Sequence, residues 1–129
     1  MPTKLISAPL AAAIAQEAAS QANTPLREAA TLGVLAGAGY SAREIAGFTG
    51  AQWDRIDLRL ALLDLIEAGK GAMHEGLLPV DLAGHIARLS EPNQQLMLNR
   101  WLRGDFRGER HAERYALAIY GDEQPQVSF

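Results

Sequence analysis

"GYSAREIAGFTGAQWDRI", residues 39–56, is the stretch on which the fold turns. Ser41 and Glu44 stand three apart just ahead of the apolar pair Ile45 and Ala46. That is the capping-box spacing, in which the serine accepts from the backbone of the third helical residue and the glutamate reaches back to the cap. A short helix is therefore expected from Ser41 onward. Phe48-Thr49-Gly50 ends it, and Thr49 with Gln52 repeats the same spacing, so a second helix is expected to begin near Gly50 and run to about Ile66. Two short helices joined by a glycine turn, the second capped and longer, form the helix-turn-helix plan. Ile45 and Ala46 would supply the inner face of the first helix, and Ile56 and Leu60 that of the second.

Working outward, the rest of the chain also reads as helix. Runs of alternating Val, Ile, Thr and aromatic residues are absent, while Ala, Leu, Glu, Gln and Arg dominate between short Gly, Ser, Thr and Pro clusters. Upstream, helices are expected over about 7–20 and, from Thr24-Pro25 as cap and first turn, to the glycines at 37 and 39. Downstream, the glycine-rich "AGKGAMHEG" (68–76) reads as a link. Helices then follow from Pro79 to Leu89, from Ser90 to about Arg103 and from about Arg107 to Tyr120. The fold class is all-α: a compact orthogonal bundle of six or seven short helices containing the helix-turn-helix. Its expected divisions are an N-terminal helix and linker (1–23), the helix-turn-helix domain (24–120) and a flexible tail (121–129).

With 129 residues, about half of them hydrophobic, the chain can bury one core. The formal net charge of −3 provides no overall field to draw it to nucleic acid, so any such contact must be local. Cysteine is absent, which removes disulfides, thiolate zinc sites and cysteine nucleophiles together. The opening "MPTKLISAPLAAAIAQEAA" has some features of a secretory signal, but its single lysine, Ala-heavy run and Pro9 suit an N-terminal helix better. No stretch reaches the ~18 apolar residues of a membrane span, and a cytoplasmic location is expected.

Taken with its flanks, the motif resembles the central DNA-binding domain of the ParB family of partition proteins and its relatives such as KorB. The resemblance rests on Ile45, Ala46 and Gly50 at the turn, the leucine-rich "IDLRLALLDL" (56–65), the later Gly76, Leu78 and Ala83, and Ala112-Glu113-Arg114. It spans about residues 24–115 and does not extend to the family's N-terminal nucleotide-binding or C-terminal dimerisation domains. It implies a double-stranded DNA ligand, a role in transcriptional regulation or in partition of a plasmid or mobile element, and action as a homodimer or with a protein partner. No cofactor and no small-molecule substrate are implied.

The second helix divides into stripes. Gln52, Arg55 and Arg59, with Arg43 from the preceding helix, carry the chemistry of base reading, since arginine pairs with guanine and glutamine with adenine. The same arginines could instead pair with nearby acids on a solvated face. Trp53, Ile56, Leu60 and Leu63 share a face expected to be core. Asp54, Asp57 and Asp64 line another, where the family is usually polar or basic, and carboxylates there would repel phosphates. This supports an alternative: a protein-interaction module that docks its partner through Asp54, Asp57, Leu58, Leu62 and Leu65.

"RWLRGDFRGERHAER" (100–114) holds five arginines against three acids and is the basic stretch of the chain. Arg107 and Arg110 are its expected phosphate contacts, and a salt-bridged surface helix is the other way to use those charges. Trp101, Phe106 and Tyr115 read as core. His74, His85 and His111 lie in separate segments without metal-ligand spacing, and no Ser-His-Asp set or phosphate-cradling glycine loop stands out, so neither a metal site nor an enzyme is expected.

Overall fold

The computed structural model describes residues 4–125, and every regular element among them is helical. Eight α-helices follow in order: α1 (Ala8–Ser20), α2 (Pro25–Gly37), α3 (Ala42–Thr49), α4 (Trp53–Ala61), α5 (Glu67–His74), α6 (Val80–Ala87), α7 (Glu91–Leu102) and α8 (Glu109–Glu123), with a 3₁₀ turn at Leu62–Asp64. They form two compact units, the first ending at Leu63 and the second beginning at Asp64. That cut differs from the sequence boundaries at 23/24 and 120/121. It falls inside the segment expected to be one helix from 50 to 66, because α4 ends at Ala61 and tightens into the 3₁₀ turn.

The first unit is built on alanine. Ala11, Ala15 and Ala18 recur along one side of α1 with no exposed surface, and their small side chains let α1 lie close to Leu32 and Leu35 of α2 and to Ile45 of α3. The segment before α1 is tied down: Leu5 N–H donates to the Ala38 carbonyl at 3.0 Å, and Tyr40 Oη donates to the Ile6 carbonyl at 2.7 Å. The buried Tyr40 ring meets Phe48 edge-on at 5.7 Å.

Both halves of the expected capping box on α3 are formed. Glu44 N–H donates to Ser41 Oγ at 3.1 Å and Ser41 N–H to Glu44 Oε1 at 3.0 Å, while Lys4 Nζ donates to the same carboxylate at 2.9 Å. Gly50 closes the helix at φ +76, a left-handed conformation that glycine adopts without penalty. The second expected capping box does not form. Thr49 is the last residue of α3, its hydroxyl donating to the Ala46 carbonyl and accepting from Ala51 N–H. Gln52 caps α4 by position, without a side-chain hydrogen bond.

The eighth helix beyond the expected six or seven is α5, which occupies most of the stretch read as a glycine-rich link. Gly69 serves packing there: a Cβ at that position would lie 2.8 Å from Leu65 Cδ1. The second unit buries Leu78, Leu82 and Ile86 with Met97, Leu98, Ala112 and Ala116. At its centre is the buried Gln94. Its amide nitrogen faces the carbonyls of Asp64 (3.0 Å), Ala87 (3.2 Å) and Leu89 (3.0 Å), and its oxygen accepts from Ile66 N–H at 2.9 Å. The tail expected to fray from residue 121 stays helical to Glu123, whose carboxylate accepts from Ser90 N–H and Oγ and from the Asn93 amide, capping α7 from outside. The rest of the tail beyond Pro125 lies outside the described residues.

Candidate nucleic-acid interface

The orientation of α4 follows from one residue of α2. Glu28 is 1% exposed, and it faces α4. A carboxylate removed from water requires positive partners, and α4 supplies two. Arg55 Nη1 donates to Glu28 Oε2 at 3.2 Å, and Arg59 Nε lies 2.9 Å from Glu28 Oε1. The Arg59 N–H is not aimed along that line, so this contact is an ion pair without a well-directed hydrogen bond. Arg55, Ile56 and Arg59 occupy one side of the helix by their three- and four-residue spacing, and Ile56 is 1% exposed.

The packed side of α4 therefore keeps Ile56 and Leu60, the expected inner face, and extends toward Arg55 and Arg59 rather than toward Trp53 and Leu63. Leu60 is half-buried against the core, but Trp53 is 43% exposed and Leu63 46% exposed, which corrects the core assignment of both. Arg59, expected to face DNA, has a side chain only 13% exposed, whereas the Arg55 side chain keeps 40%. The alternative docking set changes as well. Leu62 and Leu65 are fully or almost fully buried, so they offer no surface to a partner; Leu58 and Asp57 are half-buried and Asp54 is exposed. Asp54 Oδ1 accepts from Arg55 N–H at 3.0 Å in the first turn of α4, where a carboxylate is favoured by the helix dipole.

What α4 presents outward is its N-terminal end. Arg43, Gln52 and Trp53 line an open cleft of about 340 Å³ whose floor is Ala46, Gly47, Gly50 and Ala51. The Arg43 guanidinium lies 4.5 Å from the centre of the Trp53 ring. A smaller cleft of about 170 Å³ on the same unit is bordered by Glu28, Arg55, Thr49 and Ile56.

In the second unit the basic stretch sorts into paired and free charges. Arg103 Nη2 and Arg100 Nε converge on Asp105 at 2.9 and 3.4 Å, which, with Arg103 foremost, holds that carboxyl below its usual range. Arg107, Arg110 and Arg114 are exposed and have no acidic partner among the described residues. His111 Nδ1 accepts from Arg107 N–H at 2.9 Å. Desolvation, followed by the charges of Arg107, Arg114 and Arg100, holds the imidazole below the ordinary histidine value. Glu109 is shifted the opposite way, upward, by desolvation and then by Glu113 and Asp81. Trp101 and Phe106 are half-buried, while Tyr115 is 40% exposed and not a core residue as expected; the Arg100 guanidinium lies over both Phe106 and Tyr115.

Among the described residues no group of His, Asp or Glu side chains is arranged to hold a metal ion, and no helix is long and apolar enough to cross a membrane. Glu28, Gln94 and Glu123 each tie helices together within their own unit, yet sequence reasoning passed over all three. A glutamate in a first helical turn is ordinarily a solvated dipole partner, and nothing local to Glu28 marks it as buried. Comparisons with models of protein families, with curated proteins and with solved structures found no match.

Proposed function

We propose that the chain is a sequence-specific DNA-binding protein of helix-turn-helix type, acting in transcriptional regulation or in partition of a plasmid or mobile element. The observation that carries this reading is the open cleft at the N-terminal end of α4, where Arg43, Gln52 and Trp53 are exposed together beside the Gly50 turn that joins α3 to α4. In that motif the N-terminal residues of the second helix meet the base edges. Arg107 and Arg110 are suited to phosphates. Affinity should be modest, since the chain carries net negative charge and Arg55 and Arg59 are largely spent on Glu28. The ligand is double-stranded DNA, in the cytoplasm, and a homodimer would engage two half-sites.

Fluorescence anisotropy with a pool of duplexes at several salt concentrations tests the reading. Binding should weaken linearly in log salt, be lost with Arg43→Ala/Gln52→Ala, and show a slope shallower by about two with Arg107→Ala/Arg110→Ala. Absence of binding at low salt would sink it. One observation favours a second reading, a protein-interaction module: the exposed Trp53 stands on the same helix as the exposed Asp54 and, one turn on, the half-buried Asp57. An aromatic anchor ringed by polar groups is the composition of a docking surface. Failure to bind DNA together with self-association on sizing columns, lost in Trp53→Ala, would favour that reading.

A further inference from the structure

We infer that Arg43 reads a guanine and that Trp53 is the residue that positions it, an inference that rests on the DNA-binding reading above. In a helix-turn-helix the first helix crosses the phosphate backbone, and the second brings its N-terminal residues to the bases. Arg43 belongs to the first helix, α3, and its guanidinium reaches the start of the next one. It sits over the indole of Trp53, 4.5 Å from the ring centre, and Trp53 is the first residue of α4. The stack therefore carries an arginine from the backbone-crossing helix to the base-reading end of its neighbour.

The alternatives for Arg43 are closed by its surroundings. The adjacent acid on α3, Glu44, is held by Lys4 Nζ at 2.9 Å and by Ser41 N–H at 3.0 Å. Asp54, next to Trp53, accepts from Arg55 N–H. Among the described residues Arg43 has neither an ion pair nor a hydrogen-bond acceptor, and it is exposed. A guanidinium held over an aromatic face by a cation–π contact does not give up its N–H donors to an acceptor there, so its planar donor fork remains available to a ligand. That fork matches the O6 and N7 acceptors that guanine presents in the major groove. An unstacked surface arginine would lose side-chain freedom on meeting a base; here much of that ordering precedes binding. The two arginines of α4 are not comparably free, since Arg55 and Arg59 face Glu28.

The test begins with duplexes selected from a random pool by the unaltered protein. Replacing each guanine in turn by 7-deazaguanine removes the N7 acceptor without altering the protein. One position should lose affinity on the order of tenfold, as expected for a bidentate contact. Arg43→Ala should lose a similar factor on the natural duplex and show no further loss on the 7-deazaguanine one. Trp53→Ala should forfeit most of that guanine preference, and Trp53→Phe, which retains an aromatic face, should keep it. Both residues are exposed, so circular dichroism and the thermal midpoint should stay unchanged.

A selected duplex indifferent to every 7-deazaguanine would overturn the inference and leave the DNA-binding reading intact. The inference fails in the same way if Arg43→Ala weakens all duplexes alike and lowers the salt slope by about one, which marks a phosphate contact. Guanine preference undiminished in Trp53→Ala would overturn the positioning role. Recovery of no duplex at low salt would overturn the DNA-binding reading and the inference together.

Discussion

Glu28 illustrates how much one side chain can decide. Its carboxylate has almost no contact with water, and its two arginines differ in their own exposure, 13% for the Arg59 side chain and 40% for that of Arg55. Removing the more buried partner leaves a carboxylate that water cannot easily reach. Arg59→Ala should therefore cost about 3 kcal/mol of stability, the lower end for breaking a buried pair. Arg55→Ala should cost less, about 1 kcal/mol, because its charge is already partly solvated. Urea denaturation of the two variants measures the difference, and equal losses would mean that the arginines share the carboxylate evenly. The stripe of Gln52, Arg55 and Arg59 was visible in the sequence as a chemical pattern. Whether its arginines faced solvent or a buried acid depended on a residue 27 positions upstream of Arg55, beyond the reach of any local pattern.

At the scale of elements, the turn between α3 and α4 rests on backbone geometry. A Cβ on Gly50 would meet nothing within 4 Å, so Gly50→Ala isolates the cost of a left-handed conformation, about 1 kcal/mol, which thermal unfolding reads directly. A loss much larger than this would mean that the turn also shifts neighbouring side chains. In the second unit α7 is capped by Glu123, whose hydrogen bonds from Asn93 and Ser90 hold its carboxyl below the ordinary glutamate value. A depressed folded value means that the stabilisation is fully present above the unfolded glutamate value and is lost as pH falls from there through the lower folded value. The midpoint of the native protein should therefore fall more steeply than that of Glu123→Gln as pH is lowered from about 6 to about 3. Parallel curves would show that the cap adds nothing. The helices and most of their ends were legible from capping residues, prolines and glycines. The exceptions are α5, where Gly69 packs against Leu65, the early end of α4 in a 3₁₀ turn, and the last turn of α8, where Glu123 meets Ser90 across the unit.

For the molecule as a whole, the governing quantity is where charge remains unpaired. The net charge is −3, yet Arg107, Arg110 and Arg114 stand free in the second unit around His111. Desolvation and the neighbouring arginines disfavour the imidazolium, so the His111 resonance should titrate below the ordinary histidine value in the free protein. Arg107→Ala/Arg114→Ala should raise it, and duplex DNA should raise it too, since phosphates screen the arginines. NMR titration with and without duplex measures both shifts. A value unmoved by DNA under conditions where anisotropy shows binding would remove this patch from the interface.

By itself the amino-acid sequence determined the all-helical class, the capping box at Ser41 and Glu44, the glycine turn and the order of seven of the eight helices described, because each is encoded in residues within a turn or two of one another. Only the tertiary structure decided how far the buried side of α4 extends beyond Ile56 and Leu60, which arginines are free, and that Trp53 stands in the open beneath Arg43. The reason is physical. An amphipathic pattern places Ile56 and Leu60 inward, but how far the buried face extends to either side depends on what the neighbouring helix presents. A buried carboxylate there draws Arg55 and Arg59 in while Trp53 stays exposed.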